Sequence, residues 1–164
     1  MLTLKLPRMS TEKTFHKHRH KDNSTCANHL HQKFNQKAPN IVWASDFTYI
    51  KAAGKWYYLC IVMDLFSRKI ISWNLSGKPD VSLVMAAFQK AYNLREQPDG
   101  LMFHSDRGTQ YTAGPFRKLL DDLNVVQSFS KKGYPFDNAC YESFFKYIKK
   151  EEKDYYAEKD IKSQ

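Results

Sequence analysis

The sequence predicts a single α/β domain whose centre is a mixed five-stranded sheet flanked by helices. Three strand-like runs joined by short turns come first, and two helix–strand units and a last helix come after them. Strands joined by short turns pair antiparallel, whereas strands separated by a helix can pair parallel. The order βββ-α-β-α-β-α therefore predicts three antiparallel strands followed by two parallel ones.

The first two strands are predicted from two different patterns. Residues 43–51 alternate, so that Asp46 lies on one face of the strand and Phe47 on the other. A turn at Gly54 follows. Residues 56–63 are almost entirely apolar, which is typical of a central strand buried on both faces.

The third strand follows a second turn, which begins at Asp64. An Asp-x-x-Ser-Arg turn accounts for Asp64, which is otherwise a candidate carboxylate of a functional site. Residues 69–75 then return as a strand, in which Ile71, Trp73 and Leu75 are predicted to point inward. These three strands form an antiparallel meander.

Helices and strands alternate in the second half of the chain. Pro79 and Asp80 open a helix whose apolar positions follow the 3.6-residue period, and Pro98 helps to end it. The remaining predicted elements are a strand over residues 101–104, a helix over 112–124, a strand over 125–129 and a last helix from 137 or 138 to about 153.

The composition is that of a globular protein. At 164 residues the chain has the length of one domain, and 42% of its residues are hydrophobic. No run approaches the roughly 18 apolar residues of a membrane span, and the N-terminus lacks the features of a signal peptide. Three widely spaced cysteines favour free thiols in a reducing cytosol. Cys60 and Cys140 lack the positive neighbours expected of a nucleophile.

Positive charge is concentrated at the N-terminus. The net charge is +9, and residues 1–40 hold eight Lys and Arg against two acidic residues. Residues 1–36 show no sustained period and are predicted to be an irregular basic arm. Such an arm suggests a polyanionic partner, most simply nucleic acid; the alternative is a solvated tail without a partner. Five histidines and Cys26 also lie there, but their spacing matches no zinc motif.

Three carboxylates on three different elements are predicted to share one location. Asp106 follows a strand, and functional sites in open α/β sheets usually lie at the carboxyl ends of strands. Asp46 lies 60 residues earlier, and Glu142 lies 36 residues later on the last helix. Mg²⁺ prefers oxygen ligands, and two ions about 3.5–4 Å apart clamp the oxygens of a phosphoryl transfer. The alternative for any single Asp is a turn cap.

The last helix presents basic residues beside Glu142. Lys146 and Lys149 lie four and seven residues after it, and hence on the same face of the helix. A carboxylate with two ammonium groups beside it is suited to binding a phosphodiester. The alternative is an ordinary Glu–Lys pair on the helix surface, and this alternative is stronger for Lys146 than for Lys149. His104 shares a sheet face with Asp106. Three roles are open to it: it adjusts the properties of the site, it stacks on DNA, or it is an ordinary buried histidine.

Taken together, these residues resemble the catalytic core of insertion-sequence transposases of family three, which is related to retroviral integrases. The first two motifs are Pro39-Asn40-x-x-Trp43-x-x-Asp46-x-Thr48-Tyr49-Ile50 and Asp64-Leu65-x-Ser67-Arg68. The third is His104-Ser105-Asp106-Arg107-Gly108-x-Gln110-Tyr111. The last runs from Ser128 through Gly133-x-Pro135-x-Asp137-Asn138-Ala139-x-x-Glu142-Ser143-Phe144-Phe145 to Lys149. The resemblance covers about residues 30–153, and the 35 residues between Asp106 and Glu142 match the interval that names this class.

The resemblance implies a ribonuclease-H-like fold in which Asp46, Asp106 and Glu142 bind two Mg²⁺ or Mn²⁺ ions. It implies cleavage of DNA at transposon ends and strand transfer into target DNA, with water or a DNA 3′-hydroxyl as the nucleophile. It also implies self-association in the active complex and a place in the bacterial cytoplasm, at the nucleoid. The predicted DNA contacts are Lys149, Lys146, Asn138, Arg107 and His104.

The predicted domain division is an arm over residues 1–36 and a catalytic core over 37–164. Members of the family usually have a helix-turn-helix region upstream and a further helix downstream, so the chain is expected to be a fragment. One alternative is therefore a non-catalytic fragment that binds DNA or poisons the assembly of a full-length transposase. A nuclease for RNA–DNA hybrids is a third alternative, disfavoured by the 35-residue interval.

Overall fold

The computed structural model describes residues 26–52, 54–131, 144–146 and 149–150. Its regular elements are β1 (Val42–Ala52), β2 (Lys55–Asp64), β3 (Ile70–Ser76), α1 (Val81–Leu94), β4 (Met102–Ser105), α2 (Gly114–Asp122) and β5 (Val126–Phe129). The five strands form one sheet in the order β3-β2-β1-β4-β5. β2 is antiparallel to β1 and β3, whereas β4 is parallel to β1 and β5. The predicted mixed sheet is confirmed.

The two helices begin where the sequence provides a start signal. Asp80 caps α1, because its carboxylate accepts the N–H of Leu83 at 3.2 Å. α2 begins at Gly114, two residues later than predicted, with Pro115 in its first turn, a position that proline favours. The residues before α2 are held in a turn by the carbonyl of Gly108. No helix among the described residues is long and apolar enough to cross a membrane.

An aromatic cluster fills the space between the sheet and the two helices. We call it the helix-side core. Phe88 of α1 lies at its centre, and its ring centroid is 5.3 Å from that of Phe103 on β4 and 5.9 Å from that of Phe116 on α2. Tilted and edge-on ring pairs of this kind add to the stabilisation from burial alone. The cluster therefore fixes β4, and the residues that follow it, against both helices.

A second cluster covers the other face of the sheet, and we call it the opposite-face core. Its buried members are Leu30, Val42, Ala44, Leu59, Ile61, Met63 and Leu65, and Phe34, Phe144 and Phe145 pack against them. Leu30 belongs to the stretch predicted as an irregular arm. The described part of that stretch is irregular but packed, because the N–H groups of His29 and Leu30 donate to Ser128 Oγ at 3.0 and 3.1 Å.

The inward direction predicted for Trp73 and Leu75 is wrong. These side chains are 54% and 37% exposed, whereas Ser72 is buried and donates to the carbonyl of Ala87 on α1. The cause is an irregularity in the pairing of β3 with β2, in which Ile71 is an extra residue. An extra residue reverses the side-chain alternation beyond it, and an alternating pattern in the sequence does not reveal it.

Candidate active site

The pairing of two parallel strands brings the first two predicted carboxylates together. Ala44 of β1 lies opposite His104 of β4 in the parallel ladder. Asp46 comes two residues after Ala44, and Asp106 comes two residues after His104. Paired residues of two parallel strands stay side by side as both strands run along the sheet. Asp46 and Asp106 therefore lie side by side, at the same level of the sheet. Asp46 is still within β1, whereas Asp106 follows the last residue of β4.

The charges of the two aspartates interact. The pKa of Asp46 is raised to about 6, mainly by burial. A 2.8 Å hydrogen bond from the N–H of Phe47 acts in the opposite direction, and the neighbouring Asp106 adds a smaller upward effect. A negative charge beside a buried carboxylate makes a site that a cation stabilises. The strand pairing and the electrostatics therefore both indicate a cation site at Asp46 and Asp106.

Asp106 is held by the loop that follows it. Its Oδ1 accepts the N–H of Gly108 at 2.9 Å, and a Cβ atom added at Gly108 would lie 2.9 Å from the same oxygen. Real Cβ atoms essentially never approach so closely, so any larger residue here would displace the Asp106 carboxylate. Arg107 points its Nε to the carbonyl of Ser130 at 3.1 Å, which ties the loop to the end of β5.

Residues near the predicted third carboxylate lie on the face of the sheet that carries Asp46. Phe144 and Phe145 pack on the opposite-face core, which contains Ala44 of β1. Side chains two apart on a strand share a face, so Asp46 points to the same side as Ala44. Glu142 and Asn138 themselves lie outside the described residues.

Comparison with known families identifies the architecture. Residues 36–135 match the family described as "Integrase core domain", which is well over half of the chain. The chain belongs to the integrase core family. The match includes Asp46 and Asp106, and it begins one residue before the predicted start of the catalytic core.

The integrase core resembles curated transposases over most of its length. It is 40% identical over 124 residues to the transposase for insertion sequence element IS904 of Lactococcus lactis and to transposase InsF for insertion sequence IS3A of Escherichia coli. Each alignment covers 76% of this chain, but 49% and 43% of the two relatives. The predicted resemblance to insertion-sequence transposases is confirmed, and the chain spans about half the length of these relatives.

Solved structures show the same fold. The chain superposes with a TM-score of 0.64 on a chain of the simian T-cell lymphotropic virus intasome, at 19% identity, covering 76% of this chain and 44% of that one. A catalytic core domain of HTLV-2 integrase, solved in complex with magnesium, gives a TM-score of 0.50 at 23% identity, with coverages of 57% and 62%. The integrase core therefore has the predicted ribonuclease-H-like fold.

The donor set of the integrase core fits a hard divalent cation. Asp46 and Asp106 each use Oδ1 to accept one main-chain N–H, and an ionised carboxylate has further lone pairs to offer. Carboxylate oxygens are the ligands that Mg²⁺ prefers. Among the described residues, no group of three or more metal-binding side chains occurs. Glu142, which the sequence predicts as the third ligand, lies outside the described residues.

His104 is not placed to touch DNA. It is 1% exposed, and its Nδ1 lies 3.0 Å from Ser128 Oγ. The same hydroxyl oxygen accepts the N–H groups of His29 and Leu30. The predicted DNA contact of His104 is therefore corrected to a structural role, in which the imidazole and Ser128 join β4, β5 and the N-terminal segment.

Two other candidate residues behave as the sequence predicts. Asp64 is fully buried and belongs to its turn, because its two oxygens accept the N–H groups of Phe66 and Asn40. Cys60 lies beneath the site, where burial raises the pKa of its thiol to about 11. At that pKa the thiolate is scarce at neutral pH, so Cys60 is inert.

Sequence reasoning missed two features that support the site. Tyr111 is buried below it, with its hydroxyl 2.8 Å from Ser45 Oγ and its ring stacked on Phe47 at 5.8 Å. These contacts support the residues on either side of Asp46. The close approach of Gly108 to the Asp106 carboxylate was also missed, although both residues stand in the third motif.

Proposed function

We propose that the chain is the catalytic core of an insertion-sequence transposase, which cleaves DNA at transposon ends and joins those ends to target DNA. The observation that carries this proposal is that Asp46 on β1 and Asp106, directly after the adjacent parallel strand β4, lie at the same level in an integrase core. The 40% identity to bacterial transposases supports DNA as the substrate and the bacterial nucleoid as its place. The active complex is a homo-oligomer that holds two DNA ends.

In this proposal Asp46, Asp106 and Glu142 hold two Mg²⁺ or Mn²⁺ ions. Bound divalent cations supply charge stabilisation to a phosphoryl transfer and activate a water or hydroxyl nucleophile. The task of the protein is to hold the carboxylates. The loop N–H of Gly108 orients Asp106, and the ladder with β2 and β4 fixes the main chain of Asp46. Glu142 closes the site from the side on which Phe144 and Phe145 pack.

Basic residues around the carboxylates hold the DNA backbone. Arg107 uses Nε for the carbonyl of Ser130, and a guanidinium has four further N–H donors to offer to phosphate. Lys146 and Lys149 are exposed and helical, on the stretch that follows Phe145. Asn138 completes the set of predicted DNA contacts. Such contacts position DNA without reading its sequence.

The first test is thermal unfolding with and without Mg²⁺ or Mn²⁺. A ligand that binds only the folded state stabilises it, by about 2.7 kcal/mol at a concentration of 100 times Kd. We expect a rise in Tm for the wild-type chain and none for Asp106→Asn or Glu142→Gln. Asp99→Asn is the control, because Asp99 is exposed in the loop before β4. A rise that survives Asp106→Asn would contradict the assignment.

The second test is cleavage of labelled DNA. We expect metal-dependent nicking or strand transfer with duplex DNA, which Asp106→Asn abolishes. DNA binding that is indifferent to this substitution, with no cleavage in Mg²⁺ or Mn²⁺, would support the non-catalytic alternative instead. Cleavage of RNA–DNA hybrid but not of duplex DNA would support the nuclease alternative.

A further inference from the structure

Two aromatic side chains are exposed on the β1–β2 hairpin, beyond the carboxylates. Tyr49 on β1 is 42% exposed and Trp56 on β2 is 45% exposed. Their ring centroids are 5.4 Å apart and the rings meet edge to face at 71°. Single exposed aromatics are ordinary on protein surfaces, but a touching pair of large ones offers a continuous contact surface.

Lysine side chains flank both rings. Lys149 Nζ lies 4.9 Å from the centroid of Tyr49, and Lys51 Nζ lies 5.8 Å from that of Trp56. Residues 47–63 of the hairpin contain two lysines and no acidic residue. We call Tyr49, Lys51, Trp56 and Lys149 the hairpin platform. Its combination of aromatic rings and positive charge is typical of surfaces that bind nucleic acid strands.

The hairpin platform begins where the carboxylate site ends. Tyr49 comes three residues after Asp46 on the same strand, which is a distance of about 10 Å along β1. Because side chains alternate along a strand, Tyr49 points to the face opposite to that of Asp46, as Phe47 does. Lys149 connects the two areas. It follows Phe144 and Phe145, which pack on the face of the sheet that carries Asp46, yet its ammonium group lies over Tyr49. β1 pairs with β4 over Val42–Ala44, so a DNA strand that leaves Asp46 and Asp106 reaches the platform around the edge of β1 beyond Ala44, where Lys149 links the two faces.

We propose that the hairpin platform binds an unpaired stretch of DNA adjacent to the phosphate held at the carboxylates. The aromatic rings stack on one splayed base, and Lys51 and Lys149 contact the neighbouring phosphates. Bases inside a duplex are already stacked on each other, so an aromatic side chain gains a base face only where the strand is unpaired. This inference rests on the proposed function, because it assumes that DNA occupies the site.

The test measures DNA binding without chemistry. The full chain is titrated in EDTA, by fluorescence anisotropy, against a short blunt duplex and against the same duplex with a single-stranded extension of a few nucleotides. We expect Trp56→Ala and Tyr49→Ala to weaken binding to the extended DNA by at least about fivefold and to leave blunt-duplex binding unchanged. Trp56→Phe, which keeps an aromatic ring, retains most of the preference for extended DNA.

Trp73→Ala is the matched control. Trp73 is 54% exposed and has Lys90 Nζ 5.2 Å from its ring, but it lies on β3, two strands away from β1. We expect this variant to bind both DNAs as the wild type does. A second measurement needs no disruptive change: in Trp73→Phe protein, only extended DNA is expected to quench the fluorescence of Trp56. Lys51→Gln is expected to lower the salt slope of extended-DNA binding by about 0.7.

Several results would overturn the inference. They are an equal loss of blunt and extended binding in Trp56→Ala, an equal effect of Trp73→Ala, and the absence of quenching. A change in self-association, seen by light scattering, with DNA binding intact would assign the platform to a protein contact instead. Because the titration contains no metal, Asp106→Asn is expected to keep the preference for extended DNA. Failure of the metal-dependent function is thereby separated from failure of the platform.

Discussion

Burial and a neighbouring negative charge act on Asp46 in the same direction. The carboxyl group is tied to the N–H of Phe47, yet its pKa rises from 3.8 to about 6. A group whose pKa is higher in the folded state stabilises the fold below its unfolded-state pKa and loses that contribution as the pH rises through its folded-state value. Metal-free protein should therefore lose stability between about pH 4 and 6, and a bound cation should restore it.

We expect Asp46→Asn to stabilise the metal-free chain at pH 7.5, by at most about 3 kcal/mol, and to have little effect at pH 4. The amide oxygen can still accept the N–H of Phe47, so the difference reports the charge. Urea unfolding in EDTA from pH 4 to 7.5 measures it, with Asp99→Asn as the exposed control. Wild-type and Asp46→Asn curves that run parallel across this pH range would contradict the expectation. With Mg²⁺ at pH 7.5, wild type should gain stability and Asp46→Asn should not.

At the scale of elements, the sheet was predictable and its irregularities were not. Short turns and apolar runs determine which strands pair. The apolar run after Gly100 predicted β4, and with it the position of Asp106 at the carboxyl end of a strand. The extra residue in β3 left no mark on the pattern around Ile71, so the direction of Trp73 was mispredicted. His104 was misassigned because only the tertiary structure brings Ser128 and the N-terminal segment against it.

The loop after β4 is the element that holds Asp106, and its glycine has no room for a side chain. We expect Gly108→Ala to displace the Asp106 carboxylate, because the new Cβ would lie 2.9 Å from Oδ1 and 3.1 Å from Gln110 Oε1. The predicted result is at least about a tenfold weaker response to Mg²⁺ in thermal unfolding, a loss of about 1.4 kcal/mol of binding free energy.

Gly77→Ala is the control for this loop, because a Cβ added there meets no atom within 4 Å. It should keep the full metal response. Metal-free Tm values for the two variants should stay close to that of the wild type, since the close approaches at Gly108 are to the side-chain ends of Asp106 and Gln110, and its 3.6 Å distance to Tyr111 of the helix-side core is an ordinary contact. Full metal affinity in Gly108→Ala would show that the loop does not position Asp106.

At the scale of the whole molecule, most of the net positive charge lies in the first 40 residues of the sequence. The described end of this stretch contacts the domain near the loop that holds Asp106. Residues 1–40 have a net charge of +6, out of +9 for the chain. Where the described chain begins, the carbonyl of Ala27 accepts the N–H of Phe129 on β5. Ser130 follows, and its carbonyl holds Arg107 in the loop of Asp106. The basic stretch thus enters the domain a few residues from the place proposed for DNA.

If DNA binds beside this point of entry, the effect of removing a basic residue on DNA binding depends on where that residue lies, and not only on the change in net charge. The test compares two variants of the 164-residue chain that each replace four basic residues by Gln. One changes Lys13, Lys17, Arg19 and Lys21 of the N-terminal stretch, and the other changes Lys78, Lys90, Arg95 and Lys118 on and around the two helices. Duplex affinity is measured at several salt concentrations. Each lost phosphate contact lowers the slope of log K against log salt by about 0.9, so the first variant should lose up to about 3.6.

The second variant should keep its slope, because α1 and α2 cover the face of the sheet opposite to the one towards which Asp46 points. Its net charge falls by the same amount, so a long-range attraction that depends on total charge alone would weaken binding of both variants equally. Equal losses would therefore contradict a local role for the N-terminal stretch. A loss confined to the first variant would mean that these basic residues contact DNA phosphates directly, next to the carboxylates proposed to cut the DNA.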